Sequence, residues 1–272
     1  MKRSARQPIR RETAPWPLAV PAAVGVTFLL VPLAAMLLRT PWSSLPDILR
    51  DPAVLDALRL SLVTATSSTA VAVVLGVPLA WVLARTHFRG LSLLRALVTL
   101  PLVLPPVVGG VALLLAFGRL GVVGRWLDEW FGFTLPFTTL GVVLPQCFVA
   151  MPFLVVTVEG AFRGLDRGFE EAASTLGASR LATFRRVTLP LIAPSLAAGT
   201  VLCWARALGE FGATITFAGN SPGITQTMPL AVYLAMESDP EAAIALSLVL
   251  LTVSVAVLAL LRDRWLRPGS TL

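Results

Sequence analysis

The chain is poor in the residues that most catalytic and metal sites require. Its 272 residues include one lysine, Lys2, one histidine, His87, and two cysteines, Cys147 and Cys203. A phosphate-binding loop of the G-x-x-x-x-G-K-[ST] type needs its own lysine, so ATP hydrolysis by that route is excluded. One histidine argues against a catalytic triad or a histidine metal site, and two cysteines in apolar runs argue against a disulfide framework. We therefore predict a chain that is not an enzyme, without catalytic residues, metal or cofactor of its own, although carboxylate chemistry is left open.

Charged residues are also scarce, at 14%, against 56% hydrophobic residues and a mean hydropathy of +0.81. Soluble domains carry about 25% charged residues. So much apolar surface predicts an all-α integral membrane protein, since helices satisfy their own backbone groups in a bilayer about 30 Å thick. Six transmembrane helices are predicted, at residues 17–38, 60–84, 96–117, 137–158, 194–217 and 241–261.

The net charge of +7 is distributed unevenly between the two ends of the predicted spans. With the N-terminus in the cytoplasm, 16 of the 22 Lys and Arg residues lie on the cytoplasmic side. Arg206 lies within a span, and the five on the opposite side are Arg39, Arg50, Arg59, Arg119 and Arg125. Such a positive-inside bias predicts that both termini are cytoplasmic in a multi-pass protein of the inner membrane. Because these charges alternate with spans, we predict no nucleic-acid partner.

Three regions follow from this pattern: a basic cytoplasmic tail (1–16), a six-helix transmembrane domain (17–262) and a short cytoplasmic C-terminal tail (263–272). The basic tail suits contact with anionic membrane lipid. The apolar run of the first span is longer than a signal-peptide core, so we expect a retained helix. Between the third and fourth spans, residues 124–130 carry Trp126 and Trp130, which predicts a short helix at the outer membrane interface.

The longest cytoplasmic loop, residues 159–193, contains an amphipathic pattern. Its apolar residues recur at helical spacing at Leu165, Phe169, Ala172, Ala173 and Leu176. The small alanines on this stripe would let another protein approach closely. A helix lying flat on lipid is the alternative, but this stripe has no tryptophan and is rich in alanine.

Local signals predict where the elements of this loop begin and end. Asp166 is an expected N-cap, Glu170 and Glu171 favour the first turns through the helix dipole, and Gly177 fits a helix end. A second short helix is predicted at residues 180–187, and Leu189-Pro190 is expected to turn the chain back to the membrane.

The same loop resembles the EAA motif of ABC importer permeases, EAA-x3-G-x9-[IV]-x-LP. The matching residues are Glu171, Ala172, Ala173, Gly177, Val187, Leu189 and Pro190. The resemblance implies a type I ABC importer permease fold, in which this motif forms a coupling helix in a cleft of a cytoplasmic ATPase. Two ATPase copies holding ATP and Mg²⁺, and a homodimer of this chain, are implied with it. The coupling role then falls to Glu170, Glu171, Ala172, Ala173, Leu176, Gly177, Val187 and Pro190.

A second resemblance concerns residues 204–230 and the proline-rich segment at 100–110. Both are similar to molybdate permeases, and sulfate permeases share the R-A-x-G-E-F-G core that begins at Arg206. The resemblance implies import of molybdate delivered by an extracytoplasmic molybdate-binding protein. A sulfate, thiosulfate or tungstate permease is the nearest alternative. A secondary transporter would show inverted repeats, which are not visible here, and an intramembrane enzyme would have only acidic candidates such as Glu210.

The candidate translocation pathway is Pro105, Pro106, Gly109, Gly110, Arg206, Glu210, Thr214, Thr216 and Asn220. Each member has two interpretations. The prolines and glycines serve either helix packing or a hinge along the pathway. The i,i+4 pair of Arg206 and Glu210 forms either a structural salt bridge or a charge bias towards a dianion. The threonines and the asparagine donate hydrogen bonds either to oxyanion oxygens or to helix carbonyls.

Overall fold

The structure, a computed structural model, describes residues 16–265, and every regular element within that range is helical. The elements are α1 (Trp16–Arg39), α2 (Leu45–Ile48), α3 (Pro52–Arg85), α4 (Leu91–Val103), α5 (Pro106–Phe117), α6 (Gly124–Phe131), α7 (Thr139–Gly164), α8 (Gly168–Thr175), α9 (Arg180–Thr183), a π-helical turn (Phe184–Thr188), α10 (Leu189–Leu208), α11 (Gly212–Ala218), α12 (Met228–Ser238) and α13 (Pro240–Trp265). The predicted basic tail, apart from Trp16, and residues 266–272 of the predicted C-terminal tail lie outside the described residues.

Five helical stretches are long and apolar enough to cross a membrane. They are Trp16–Arg39, Pro52–Arg85, Thr139–Gly164, Arg180–Leu208 and Pro240–Val257. Four of them overlap most of the first, second, fourth and sixth predicted spans. α3 begins earlier than predicted because the Asp51 carboxylate accepts a hydrogen bond from the Ala53 N–H at 2.8 Å and Pro52 stands in the first turn.

The prediction of one helix over residues 96–117 is wrong, because two shorter apolar helices, α4 and α5, occupy this stretch. Leu104 and Pro105 adopt extended backbone between them, with ψ of 130° and 131°. The cause is the Pro105-Pro106 pair, since each proline lacks an N–H and forces the residue before it out of the helical region. α4, with 13 residues, is about 20 Å long and too short to span the bilayer alone.

The fifth predicted span is displaced. The helix is continuous from Arg180 to Leu208, so the predicted turn at Leu189-Pro190 is wrong. Pro190 is accommodated because the π-helical turn lies just before it, where the Leu189 N–H bonds to the Phe184 carbonyl. The predicted continuation to residue 217 is also wrong: the helix ends at Leu208, and Thr214 and Thr216 lie on the separate helix α11.

The centre of the fold is the packing of α3 along α7, with α10 against both. Small residues of α3, such as Ala65, Ala72 and Ala80, are fully buried beside Leu154 and Phe162 of α7. This pattern agrees with close helix packing in membranes, where small side chains let backbones approach. Both cysteines are free and belong to this core.

Peripheral helices surround this centre. None of the residues of α1 is buried, whereas α12 packs against α13 and α3. α6 confirms the helix predicted near residues 124–130, and its Trp126 and Trp130 rings lie 5.3 Å apart, with the Arg125 guanidinium above Trp126. Its place at the membrane interface stays a prediction.

Candidate functional site

The helix expected to carry the coupling motif, α8, begins and ends through local contacts. The Asp166 carboxylate accepts a hydrogen bond from the Gly168 N–H at 2.9 Å. At the other end Gly177 has a φ of +83°, the left-handed conformation that favours glycine. There the Gly177 N–H bonds to the Ser174 carbonyl and the Ala178 N–H to the Ala173 carbonyl, as in a Schellman motif. The helix thus begins at Gly168 with Arg167 at the N-cap position, one residue after the predicted cap Asp166, whereas the predicted end at Gly177 is confirmed.

One face of α8 presents apolar side chains to the surroundings. Leu176 is 88% exposed and Phe169 is 54% exposed, and Ala172 between them is exposed as well. We call Phe169, Ala172 and Leu176 the outer face of α8. Leu181 of α9, 66% exposed, lies next in the chain. An exposed apolar patch of this kind is typical of a contact site for another protein or for a membrane.

The opposite side of α8 is attached to its own chain through Glu170. The Arg85 guanidinium at the end of α3 donates to Glu170 Oε1 at 3.2 Å, and the Thr188 hydroxyl donates to the same oxygen at 2.8 Å. Glu171, the next residue, is exposed. The two neighbouring glutamates, which look equivalent in the sequence, therefore have different surroundings.

The last two candidate coupling residues lie away from the outer face. Val187 is half-buried in the π-helical turn, and Pro190 is exposed near the start of α10. Both therefore belong to the helix that returns to the bundle rather than to α8.

A second ion-pair cluster at this end of the bundle was not predicted from the sequence. Glu159 is buried and binds Arg95 Nε at 3.0 Å and Arg163 Nη2 at 2.8 Å. Arg95 also donates to the Leu83 carbonyl at 3.1 Å, so it ties α4 to the end of α3. The i,i+4 spacing of Glu159 and Arg163 was a usable signal, but nothing in the local sequence links Arg95 to Glu159.

The proline- and glycine-rich part of the candidate pathway packs against the threonine-bearing helix. A Cβ added to Gly110 of α5 would lie 2.6 Å from Thr216 Cβ and 2.9 Å from the Ala213 carbonyl oxygen of α11. Gly212 approaches Pro106 in the same way, with 3.0 Å from an added Cβ to the proline Cβ. This contact favours the packing interpretation of Pro106 and Gly110. Gly109 faces Phe148 of α7 instead.

Arg206 and Glu210 form the expected pair. Arg206 Nη2 lies 2.6 Å from Glu210 Oε2, and the arginine side chain is 27% exposed whereas that of glutamate is 1% exposed. Glu210 Oε1 also accepts a hydrogen bond from the Ala213 N–H at 2.8 Å. The carboxylate thus binds the end of α10 to the first turn of α11, and the salt-bridge interpretation of the pair is the one that the geometry favours.

The remaining polar candidates divide into two kinds. The Thr216 hydroxyl donates to the Gly212 carbonyl at 2.8 Å and is therefore occupied by its own helix. Thr214 Oγ1 and Asn220 Oδ1 are buried and meet no hydrogen-bond partner within residues 16–265. These two side chains retain unused hydrogen-bonding capacity.

Gly110 offers a test of the α5–α11 contact. We expect Gly110→Ala to lower the stability of the detergent-purified chain by about 1–3 kcal/mol, because the added methyl meets backbone that cannot move aside. The measurement is thermal unfolding beside Gly25→Ala in α1, where an added Cβ meets nothing within 4 Å. Equal melting temperatures for the two variants would contradict the contact.

Comparison with known proteins identifies the family. A family model described as "Binding-protein-dependent transport system inner membrane component" matches residues 72–268. The chain belongs to this family. It is therefore a multi-pass membrane permease, and the coupling loop and the α10–α11 segment both lie inside the matched range.

Curated members of the permease family resemble most of the chain. A Mycobacterium tuberculosis protein named "Molybdenum transport system permease protein ModB" is 50% identical over 238 residues, which cover 88% of this chain and 90% of the relative. The Escherichia coli K12 protein of the same name is 42% identical over 80% of this chain and 95% of its own length. The "Sulfate transport system permease protein CysT" of Salmonella typhimurium is 38% identical over 85% and 84% of the two chains.

A solved structure confirms the fold. A chain in the "Crystal structure of bacterial alginate ABC transporter in complex with alginate pentasaccharide-bound periplasmic protein" matches with a TM-score of 0.72 and 16% identity. The match covers 91% of this permease and 93% of that chain. The predicted all-α fold of an ABC importer permease is thereby confirmed, with the broken helices described above as its local departures from the expected six spans.

Proposed function

We propose that this permease carries molybdate across the inner membrane, driven by ATP that a separate subunit hydrolyses. The observation that carries the proposal is the coupling helix α8: its outer face is apolar and exposed, while Glu170 on its other side binds the membrane domain. Such a helix can receive force from a partner and pass it on to the spans. The chain's own lysine lies at position 2, outside any phosphate-binding loop, so ATP and Mg²⁺ belong to the partner.

The substrate assignment rests on relatives and on the chemistry near α11. The relatives named for molybdenum reach 50% identity, whereas the relative named for sulfate reaches 38%. The buried Thr214 hydroxyl of α11 has no hydrogen-bond partner within residues 16–265 and is free to donate to an oxyanion oxygen. Because a permease must release its ion, a weak contact of this kind suits a tetrahedral dianion.

The assembly that fits this function contains two copies of the permease, two ATPase subunits and one extracytoplasmic molybdate-binding protein. The charge distribution supports cytoplasmic termini, which places α8 on the same side as the ATPase. The apolar exposed surface of α1 suits membrane lipid or the second copy. The pathway would run between the two copies of the permease.

The transport function is tested by uptake of radiolabelled molybdate in cells that lack their own high-affinity molybdate permease. We expect expression of this chain with its ATPase and binding protein to restore uptake, and a hundredfold excess of sulfate to leave that uptake largely intact. Largely intact uptake under that excess requires discrimination of about a thousandfold, which corresponds to about 4 kcal/mol of differential binding. Loss of molybdate uptake in the presence of excess sulfate would favour the sulfate or thiosulfate alternative.

Two further arms separate the remaining alternatives. Competition by excess tungstate for molybdate uptake reports whether molybdate and tungstate share the pathway. Depletion of cellular ATP at a maintained membrane potential should abolish uptake. Persistent uptake after ATP depletion would contradict the ATP-driven proposal and favour a secondary transporter.

A further inference from the structure

Glu170 connects the coupling helix to two different parts of the membrane domain at once. Its Oε1 accepts hydrogen bonds from Arg85, the last residue of α3, and from Thr188, the last residue of the π-helical turn. The Arg85 side chain is 9% exposed and that of Glu170 is 26% exposed. An ion pair with one partner so well buried is screened less by water than an exposed surface pair.

The space around this ion pair shows why it matters for movement. A cavity of about 870 Å³ separates α8 from the cytoplasmic end of α3. Pro78 and Trp81 of α3 line one side of this open cavity, Ser174 of α8 lines another, and Phe184 of the π-helical turn also borders it. Glu170 and Arg85 reach across this cavity towards each other. The side chains, rather than close backbone packing, therefore hold α8 to α3.

Thr188, the second partner of Glu170, lies at a point where helix geometry changes. Thr188 is 1% exposed and ends the π-helical turn, after which α10 continues in regular α-helical form. π-helical turns are uncommon and often lie at functional positions. Each contains one residue more than a regular α-helical turn, and a helix can change its register by gaining or losing that residue. Glu170 thus fastens α8 to the place in the α9–α10 helix where its register is least regular.

We propose that Glu170 is the positioning residue that transmits movement of α8 to α3 and α10, through Arg85 and Thr188. The inference rests on the proposed function of α8 as a coupling helix. Glu171 has the other role: it borders the same cavity, but it is exposed and forms no ion pair within residues 16–265, so we assign it to contact with the ATPase. In the coupled protein, α8 and the end of α3 move together when the ATPase closes.

Glu170→Gln separates these two roles. Glutamine keeps a carbonyl oxygen for the Thr188 hydroxyl but loses the charge that holds Arg85. We expect the ATPase to bind with unchanged affinity, while molybdate moved per ATP hydrolysed falls about fivefold or more, the lower range of typical coupling effects. Glu171→Gln, the contrasting variant, is expected to weaken ATPase binding, and Glu237→Gln, at an exposed position near the end of α12, is the neutral control.

A charge exchange keeps the proposal testable if the single variant folds poorly. The double variant Arg85→Glu and Glu170→Arg restores an ion pair of the opposite order. We expect it to recover at least half of the wild-type transport per ATP. A well-folded double variant that remains as uncoupled as Glu170→Gln would overturn the proposal, because it would show that the pair itself does not transmit the movement.

A distance measurement tests the same inference without any substrate. Spin labels are placed at exposed Phe88, just after α3, and Thr175 of α8, with Cys147 and Cys203 replaced by alanine. The permease–ATPase complex is measured without nucleotide and with ATP and vanadate. We expect a narrow distribution that is the same in both states for the wild type, and a broadened or shifted one with ATP for Glu170→Gln.

The outcomes distinguish this inference from the transport function. Identical distributions for wild type and Glu170→Gln, or loss of ATPase binding in Glu170→Gln, would overturn the role of Glu170. Failure of the wild type to move molybdate, with the label distances behaving as expected, would instead overturn the substrate proposed above and leave the transmission role standing.

Discussion

Replacing Glu210 with alanine is expected to destabilise the permease by about 3–5 kcal/mol, the range for removing one partner of a buried ion pair. The substitution leaves Arg206 without its counter-charge and removes the acceptor of the Ala213 N–H. Glu210 is also 1% exposed, so its loss opens a cavity between α10 and α11. The measurement is the yield of folded protein and its thermal unfolding in detergent.

The control for this prediction is Glu237→Ala, because that glutamate is exposed at the end of α12 and forms no described ion pair. Glu210→Gln separates the two losses, since glutamine still accepts from Ala213 but carries no charge. We expect the melting temperature of Glu210→Gln to lie between those of the wild type and Glu210→Ala. Wild-type melting for Glu210→Ala would show that the pair contributes nothing to the junction of α10 and α11.

The second large effect is expected at the outer face of α8. Ala172→Arg places a long cation in the middle of the surface made with Phe169 and Leu176. Because Ala172 is exposed, the isolated chain should fold normally. If the ATPase receives this face, the substitution should weaken its binding by about a hundredfold, as at central interface positions worth 2–4 kcal/mol.

Co-purification of the ATPase with the tagged permease measures this effect, and molybdate uptake should fall with it. His87→Arg is the matched control, since it adds the same cation to an exposed site of the α3–α4 connection. Normal ATPase binding by Ala172→Arg would mean that the partner does not use the outer face.

Much of the coupling loop is predictable because its signals act locally. Asp166 accepts a hydrogen bond from the N–H of Gly168, the first residue of α8, and Gly177 permits the left-handed backbone that ends the helix. Both effects depend on a few neighbouring residues. The apolar spacing of Phe169, Ala172 and Leu176 likewise requires only that α8 be a helix.

The departures from the sequence prediction have two physical sources. Hydropathy alone does not register the backbone hydrogen bonds that prolines remove, so the break at Pro105 interrupts a run that looks continuous. The role of Glu170 depends on Arg85, which lies 85 residues away in the sequence. No local pattern distinguishes it from Glu171, and only the folded chain shows that one glutamate faces the bundle while the other is exposed.

The most direct test of ATP-driven transport through α8 uses vesicles that contain the permease, its ATPase and the molybdate-binding protein. Molybdate movement and ATP hydrolysis are measured together for wild type and for Ala172→Arg, each checked for folding. The proposed mechanism predicts ATP-dependent molybdate transport by the wild type and almost none by Ala172→Arg. Transport that proceeds without ATP, or at the wild-type rate in Ala172→Arg, would contradict it.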